Sequence, residues 1–143
     1  MAHAAGSVIV NRPVGLVFNF ILDGENNLLW RPSVIEVQRI TPEARVGAVY
    51  RQVIKGPGGS RIDGDYRIVE CKPGQRIRFE VTSGPARPVG KYLFEDLGDS
   101  TQVQLILDFQ PQGLARLMDG MVEKAMREEV AVLANLKKVL ESH

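Results

Sequence analysis

The last part of the sequence has the hydrophobic pattern of one long amphipathic helix. Over residues 114–140, apolar side chains recur at helical spacing, and a rise of about 1.5 Å per residue gives a length of about 40 Å. The apolar sector contains Leu114, Leu117, Met118, Met121, Val122, Ala125, Val132, Leu133, Leu136, Val139 and Leu140. Charged residues lie on the opposite side, so another element of the chain must cover the apolar sector.

The middle of the chain alternates between apolar and polar positions with a period of two, which predicts β-strands. Between Arg76 and Ser83, for example, Ile77, Phe79 and Val81 alternate with charged residues. The predicted strands cover residues 7–10, 34–40, 47–55, 60–71, 76–83, 91–97 and 101–109. Short turns join most of them, so we expect a consecutively connected antiparallel sheet with one buried face.

Two short helices are predicted between the first and second strands. Pro13 suits the first position of a helix, and apolar residues follow it at helical spacing. Asp23 can cap a second short helix that ends near Trp30. Pro32 then disfavours helical backbone at the residue before it and turns the chain into an extended segment.

Together these elements predict an α+β fold that forms a single domain over residues 1–143. We expect a curved antiparallel sheet of six to seven strands wrapped around a long C-terminal helix, with two short helices after the first strand. A sheet that curls around a helix leaves a space between them, and small molecules bind in such spaces.

Composition and charge exclude several classes of protein. The 18 Lys and Arg residues nearly balance 17 Asp and Glu, which leaves a net charge of +1 and no basic cluster for nucleic acid. No apolar run approaches the roughly 20 residues of a membrane-spanning helix, and the first residues lack the pattern of a signal peptide. Cys71 is the single cysteine, so no internal disulfide can form. We therefore expect a cytoplasmic protein, monomeric or homodimeric.

The sequence offers few residues for metal or cofactor chemistry. Its two histidines, His3 and His143, lie near the ends of the chain, where backbone is usually frayed. The glycine-rich run at residues 56–59 lacks the lysine and the following helix of a phosphate-binding loop. We expect no metal and no other cofactor. Any chemistry would rely on carboxylates, tyrosines, arginines or bound water.

Several short segments, taken in their order and spacing, resemble a known superfamily. They are Pro13-Val14-Gly15-Leu16-Val17-Phe18, Asp23, Trp30-x-Pro32, Pro73-Gly74-Gln75-Arg76-Ile77, Tyr92-Leu93-Phe94-Glu95 and Leu136-Lys137-Lys138-Val139-Leu140-Glu141. The chain resembles the START/polyketide-cyclase superfamily, also called SRPBCC or the birch-pollen-allergen fold, over nearly its whole length. Members include lipid and hormone binders, aromatase/cyclases and co-chaperone domains. The resemblance implies a helix-grip fold with a cavity between the C-terminal helix and the sheet.

The alternation selects side chains that would line this cavity. The candidate ligand-binding residues are Trp30, Tyr50, Gln52, Tyr66, Phe79, Tyr92, Phe94, Met118 and Met121. A tyrosine offers an apolar ring and a hydroxyl that can orient a ligand. The same tyrosines, and equally Trp30 and the methionines, can instead be ordinary core residues. A register shift of one residue would turn Tyr50 and Gln52 outward.

Glu129 is the candidate catalytic residue. On a helical wheel it projects into the apolar sector between Ala125 and Leu133. A carboxylate buried there needs a partner, and such carboxylates often act as general acids or bases. Alternatively, this part of the helix lies near the mouth of the cavity and Glu129 simply contacts water.

Three functions are compatible with these features. The first is a carrier, sensor or sequestering protein for a small hydrophobic or aromatic molecule that is lipid- or polyketide-like. The second is a metal-free enzyme similar to polyketide cyclase/dehydratases, which requires Glu129 or a tyrosine inside the cavity. The third is a protein-interaction module like the co-chaperone branch, or a homodimer that uses the outer face of the sheet. Charged residues on that face argue against a large apolar interface there.

Overall fold

Eight antiparallel strands form one curved sheet in the computed structural model, which describes residues 2–84, 86–109 and 119–142. The strands are β1 (Ala2–Val10), β2 (Val34–Arg39), β3 (Val49–Lys55), β4 (Arg61–Asp63), β5 (Tyr66–Lys72), β6 (Arg76–Val81), β7 (Val89–Asp96) and β8 (Thr101–Phe109). Their order across the sheet is β1-β8-β7-β6-β5-β3-β2, and β4 pairs with β3 outside this path. The predicted antiparallel sheet is therefore confirmed.

Among the described residues, four α-helical segments accompany the sheet: α1 (Val14–Leu22), α2 (Asn27–Trp30), α3 (Asp119–Ala131) and α4 (Leu133–Glu141). A short 3₁₀ turn, Gly24–Asn26, joins α1 to α2, and the Asp23 carboxylate accepts a hydrogen bond of 3.2 Å from the Glu25 amide at its start. The capping role predicted for Asp23 and the two short helices are thus confirmed. Together with the sheet and the C-terminal helix, they confirm the α+β helix-grip fold.

The C-terminal helix is interrupted once, at Val132, between α3 and α4. The Val132 amide donates to the Glu129 carbonyl three residues earlier at 3.3 Å, and the Asn135 amide donates to the Val132 carbonyl at 2.8 Å. These are bonds of the tighter 3₁₀ type, which locally change the direction of an α-helix. The first predicted residues of this helix, 114–118, lie outside the described residues.

Three sequence-based expectations differ from the structure. The predicted strand 60–71 is two strands, because Gly64 and Asp65 interrupt it; the Gly64 amide donates to the Gln52 carbonyl at 2.8 Å, and Asp65 accepts from the Gln52 amide at 3.0 Å. The sheet consequently has eight strands rather than six to seven. The β1 strand begins at Ala2, so His3 is not frayed: its Nδ1 lies 2.6 Å from Asp108 Oδ1 on β8.

Alternation along the strands determines which side chains form the core. On β8, every second residue from Thr101 to Phe109 is buried, and the residues between them are half-buried. The inner, concave face of the sheet is therefore apolar. The C-terminal helix covers part of it, because α3 packs on β1 and β8 and α4 packs on β1.

A glycine allows the C-terminal helix to approach the sheet closely. A Cβ atom at Gly6 on β1 would lie 2.3 Å from Cγ1 of Val130 on α3. That separation is far below a normal carbon–carbon contact of about 3.5–4.0 Å, so any larger residue at position 6 would push the helix away or force Val130 into another rotamer.

We predict that Gly6→Ala lowers the free energy of unfolding by about 1–3 kcal/mol, the usual cost of overpacking a core. Denaturant unfolding would measure the change. The cost should shrink in a Val130→Ala background, because that substitution removes the methyl group against which the new Cβ clashes. Gly15→Ala is the matched control: it lies within α1, no atom lies within 4 Å of the added Cβ, and stability should be unchanged or slightly higher. Equal costs for Gly6→Ala in both backgrounds would contradict this account of the helix–sheet contact.

Candidate functional site

A row of aromatic rings crosses the concave face of the sheet. The Tyr50 and Tyr66 rings are stacked with centroids 4.9 Å apart, Tyr66 and Phe79 are 5.9 Å apart, and Phe79 and Tyr92 are 5.8 Å apart. The pairing explains the row: Tyr50 lies directly opposite Tyr66, and each later ring lies diagonally across the next pair of strands. The predicted inward orientation of these four residues agrees with the structure.

Two glycines make room for this aromatic row. A Cβ atom at Gly90 would lie 2.3 Å from Cζ of Phe79, and one at Gly24 would lie 1.8 Å from the Tyr66 hydroxyl. Besides their contacts with neighbouring rings, both side chains therefore pack against backbone at a position where any Cβ atom would clash. Neither glycine was predicted to have a packing role, because each contact joins residues that are distant in the sequence.

Next to Tyr66 lies a small network of buried polar groups. The Asn27 side-chain amide donates to Gln52 Oε1 at 3.0 Å and to the Tyr66 hydroxyl at 3.1 Å. The side-chain amide of Gln52 donates from Nε2 to the Gly64 carbonyl at 3.3 Å. Removing one partner from such a buried network costs about 1–3 kcal/mol. Gln52 was among the predicted site residues, whereas Asn27 was not, because a short helix gives no periodic signal for a single inward amide.

One turn further along α2, an arginine connects this region to the C-terminal helix. Arg31 donates from Nε and Nη2 to Oε2 of Glu129, at 3.0 and 2.8 Å, and Ser33 donates to the other carboxylate oxygen. The Arg31 and Glu129 side chains are only 18% and 21% exposed. Glu129 therefore has the partner that a largely buried carboxylate requires. Neither Arg31 nor Ser33 was predicted, since 98 and 96 residues separate them from Glu129.

Burial keeps the tyrosines of this region protonated. Burial raises the pKa of the Tyr92 phenol to about 12, although the nearby Arg31 guanidinium opposes this shift. Burial likewise raises the pKa of Tyr66, again against the effect of Arg31. Burial of Arg31 acts to lower its own pKa, but the Glu129 carboxylate and the nearby Tyr92 and Tyr66 together outweigh that effect, and the pKa is raised. At neutral pH both tyrosines keep their protons and can donate hydrogen bonds.

The other predicted site residues occupy different surroundings. Phe94 is buried against Phe18 of α1, with ring centroids 5.1 Å apart, so it is part of the core. Trp30 is 2% exposed, and its indole nitrogen has no hydrogen-bond partner among the described residues. Met121 was expected in the inner sector of the helix, but it is 54% exposed, because the buried stripe of α3 runs through Val122, Met126 and Val130 instead. Met118 lies outside the described residues.

A second recess lies on the convex side of the sheet. It has a volume of about 130 Å³, its polar walls include Arg78, Glu80, Lys91 and Asp108, and Phe79 of the aromatic row also lines it. Pockets for small organic ligands are usually larger and mostly apolar. Within residues 2–84, 86–109 and 119–142, no three His, Cys, Asp or Glu side chains are close enough together to hold a metal ion. None of the helices described is long and apolar enough to span a membrane.

Solved structures with the same fold support this architecture. The protein TTHA0849 from Thermus thermophilus is 21% identical to this chain, with 98% of each chain covered and a TM-score of 0.80. A START superfamily protein from Mycobacterium smegmatis is 18% identical over 100% of both chains, with a TM-score of 0.79. The Zhui aromatase/cyclase from Streptomyces sp. R1128 is 18% identical, with 96% of this chain and 92% of that chain covered and a TM-score of 0.77.

The family comparison covers almost the whole sequence. No curated protein matches the chain. The family model described as "Polyketide cyclase / dehydrase and lipid transport", however, matches residues 1–141. Together with the START-like fold, this match shows that the chain is a member of the polyketide cyclase/dehydrase and lipid-transport family, within the SRPBCC superfamily.

Proposed function

We propose that the protein binds a small hydrophobic or aromatic molecule between the concave face of the sheet and the C-terminal helix, as a carrier, sensor or sequestering protein. The observation that carries this proposal is the position of Phe79. It lies in the middle of the aromatic row, between the buried Tyr66 and Tyr92, yet it is only half-buried. An inward aromatic ring that the protein does not fully cover is available to contact a ligand.

The packing of the helices supports the same location. Helices α3 and α4 lie chiefly against β1, with α3 also on β8, while α1 packs on β7 and α2 packs on β2. Among the described elements, no helix packs chiefly on β5 or β6, the strands that carry Tyr66 and Phe79. The description of the family, which includes lipid transport, is consistent with an apolar ligand.

We expect the protein to bind the neutral fluorescent probe 1-aminoanthracene, and Phe79→Ala to weaken this binding about tenfold. The expected loss corresponds to roughly 1–2 kcal/mol, which is typical of one aromatic contact with its buried area. Titration with detection of the probe's emission would measure both affinities, and circular dichroism would verify that the variant is folded.

Val89→Ala is the matched control for this experiment. Val89 is 47% exposed and lines the recess on the convex face, which Phe79 also borders, so its truncation separates binding in that recess from binding on the concave face. We expect its affinity to equal that of the wild type. Weaker binding to Val89→Ala, whatever the effect of Phe79→Ala, would overturn the proposed location.

A second candidate function is an enzyme that resembles polyketide cyclase/dehydratases. The observation in its favour is the carboxylate of Glu129, which Arg31 and Ser33 hold at the same end of the site as the hydroxyls of Tyr66 and Tyr92. Fixed carboxylates and protonated phenols can transfer protons during cyclisation or dehydration. The family description supports this candidate as well.

If the protein is such an enzyme, Glu129→Gln should lower the turnover of an unreduced poly-β-ketone thioester by at least about 100-fold, the usual contribution of a general acid or base. Tyr66→Phe should also lower turnover, and mass spectrometry of the products would measure both rates. Glu128→Gln is the control, because Glu128 is the adjacent carboxylate on the same helix and is exposed. Unchanged turnover in both Glu129→Gln and Tyr66→Phe would eliminate this candidate.

The remaining expectations on location and partners stay predictions. They are a cytoplasmic location, the lack of a nucleic-acid partner and a monomeric or homodimeric state. The third function, an interaction module, has less support because the convex face carries the ion pairs Arg61–Glu36, Arg67–Glu80 and Arg76–Glu70. Size-exclusion chromatography with light scattering would establish the oligomeric state.

A further inference from the structure

The inner face of the site has more hydrogen-bond donors than the protein itself uses. Tyr92 is only 7% exposed, yet its hydroxyl makes no hydrogen bond with any described residue. Nor is this oxygen sealed within the core, since the indole nitrogen of Trp30 is the one fully enclosed side-chain polar atom without a partner in the described chain. The Tyr92 hydroxyl therefore faces a space that another atom can occupy.

The neighbouring Tyr66 and Arg31 also have hydrogen-bond donors that no described residue accepts. The Tyr66 hydroxyl accepts a bond from Asn27 but donates to no described residue, so its own proton is unused. Arg31 directs Nε and Nη2 to Glu129, which leaves Nη1 without a partner among the described residues. A donor in such a largely buried region is stabilised when an acceptor pairs with it.

Tyr66 and Tyr92 flank Phe79 in the aromatic row, so their hydroxyls belong to one region of the inner face. The Phe79 ring contacts the Tyr66 ring on one side and the Tyr92 ring on the other. The hydrogen bond from Asn27 joins Tyr66 to helix α2, which Arg31 follows directly. Arg31 is close enough to both phenols to influence their ionisation. A ligand that lies against Phe79 therefore has the Tyr92 donor on one side and the Tyr66 donor on the other.

The acceptors of the region, by contrast, are already in use. Oε2 of Glu129 accepts hydrogen bonds from Arg31, and Oε1 of Glu129 accepts one from Ser33. Oε1 of Gln52 accepts one from Asn27. Because Glu129 also balances the charge of Arg31, the site does not require an anion. It requires an uncharged acceptor.

We infer that the ligand carries a carbonyl oxygen on an otherwise apolar skeleton, and that this oxygen accepts a hydrogen bond from Tyr92, with Tyr66 and Arg31 as the adjacent donors. This inference rests on the proposed binding function and specifies the class of ligand. A hydrocarbon of the same shape would leave the Tyr92 donor unpaired, whereas a carbonyl compound pairs it.

Fluorene and fluorenone provide the test, because they share one tricyclic skeleton and differ by a single carbonyl oxygen. We expect the wild-type protein to bind fluorenone about tenfold more tightly than fluorene, as measured by calorimetry or by quenching of Trp30, the single tryptophan. In Tyr92→Phe this preference should disappear, while the affinity for fluorene stays the same.

Tyr50→Phe is the matched control. Tyr50 belongs to the same aromatic row, but its hydroxyl already donates to the Leu22 carbonyl at 3.1 Å. Its removal should leave the preference for fluorenone intact.

The other possible results contradict the inference, the role of Tyr92 or the proposed function, and they can be told apart. Equal wild-type affinities for the two probes would overturn the inference and leave the proposed function standing, and this comparison needs no variant to fold. A preference that persists in Tyr92→Phe would overturn the assigned role of Tyr92. Failure of the wild type to bind either probe or 1-aminoanthracene would overturn the proposed function itself.

Discussion

The structure depends on one geometric constraint: the concave face of the sheet is wider than the helix that covers it. Gly6 brings α3 close to β1, at one edge of the sheet. From that position the C-terminal helix covers β1 and β8, and α1 covers part of β7. The inner faces of β5 and β6, which carry Tyr66 and Phe79, are left to other contacts. The proposed binding function rests on this mismatch, because Phe79 is only half-buried and apolar surface that the protein does not bury can be buried by a ligand.

The polar groups near this surface connect elements of the fold and leave several hydrogen-bond donors without an acceptor among the described residues. Arg31 and Glu129 join the end of α2 to the C-terminal helix with a hydrogen-bonded ion pair that is largely removed from water. Such pairs contribute less to net stability than to a defined geometry. Here the defined geometry fixes the end of α2 and the Arg31 guanidinium relative to the C-terminal helix. The protein satisfies its own acceptors in this region and leaves donors available.

The local sequence pattern predicted most of the fold, whereas contacts between residues that are distant in the sequence could not be predicted from it. Alternation along β5, β6 and β7 was sufficient to orient Tyr66, Phe79 and Tyr92, and helical spacing identified Glu129 as an unusual charge. Nothing near Arg31 in the sequence indicates that it meets Glu129, 98 residues away. Met121 was misplaced because an apolar residue at the edge of a helical sector can face either the core or the solvent, and only the packing of α3 against β1 decides between them.

The central claim is that an apolar ligand occupies the space beside Phe79, and native mass spectrometry of protein purified from its own host tests it most directly. The account predicts a reproducible added mass that organic solvent releases and that diminishes in Phe79→Ala but persists in Val89→Ala. An added mass retained equally by both variants, or bound only by Phe79→Ala, would contradict the account. So would protein that carries no added mass and binds neither 1-aminoanthracene nor fluorenone after purification.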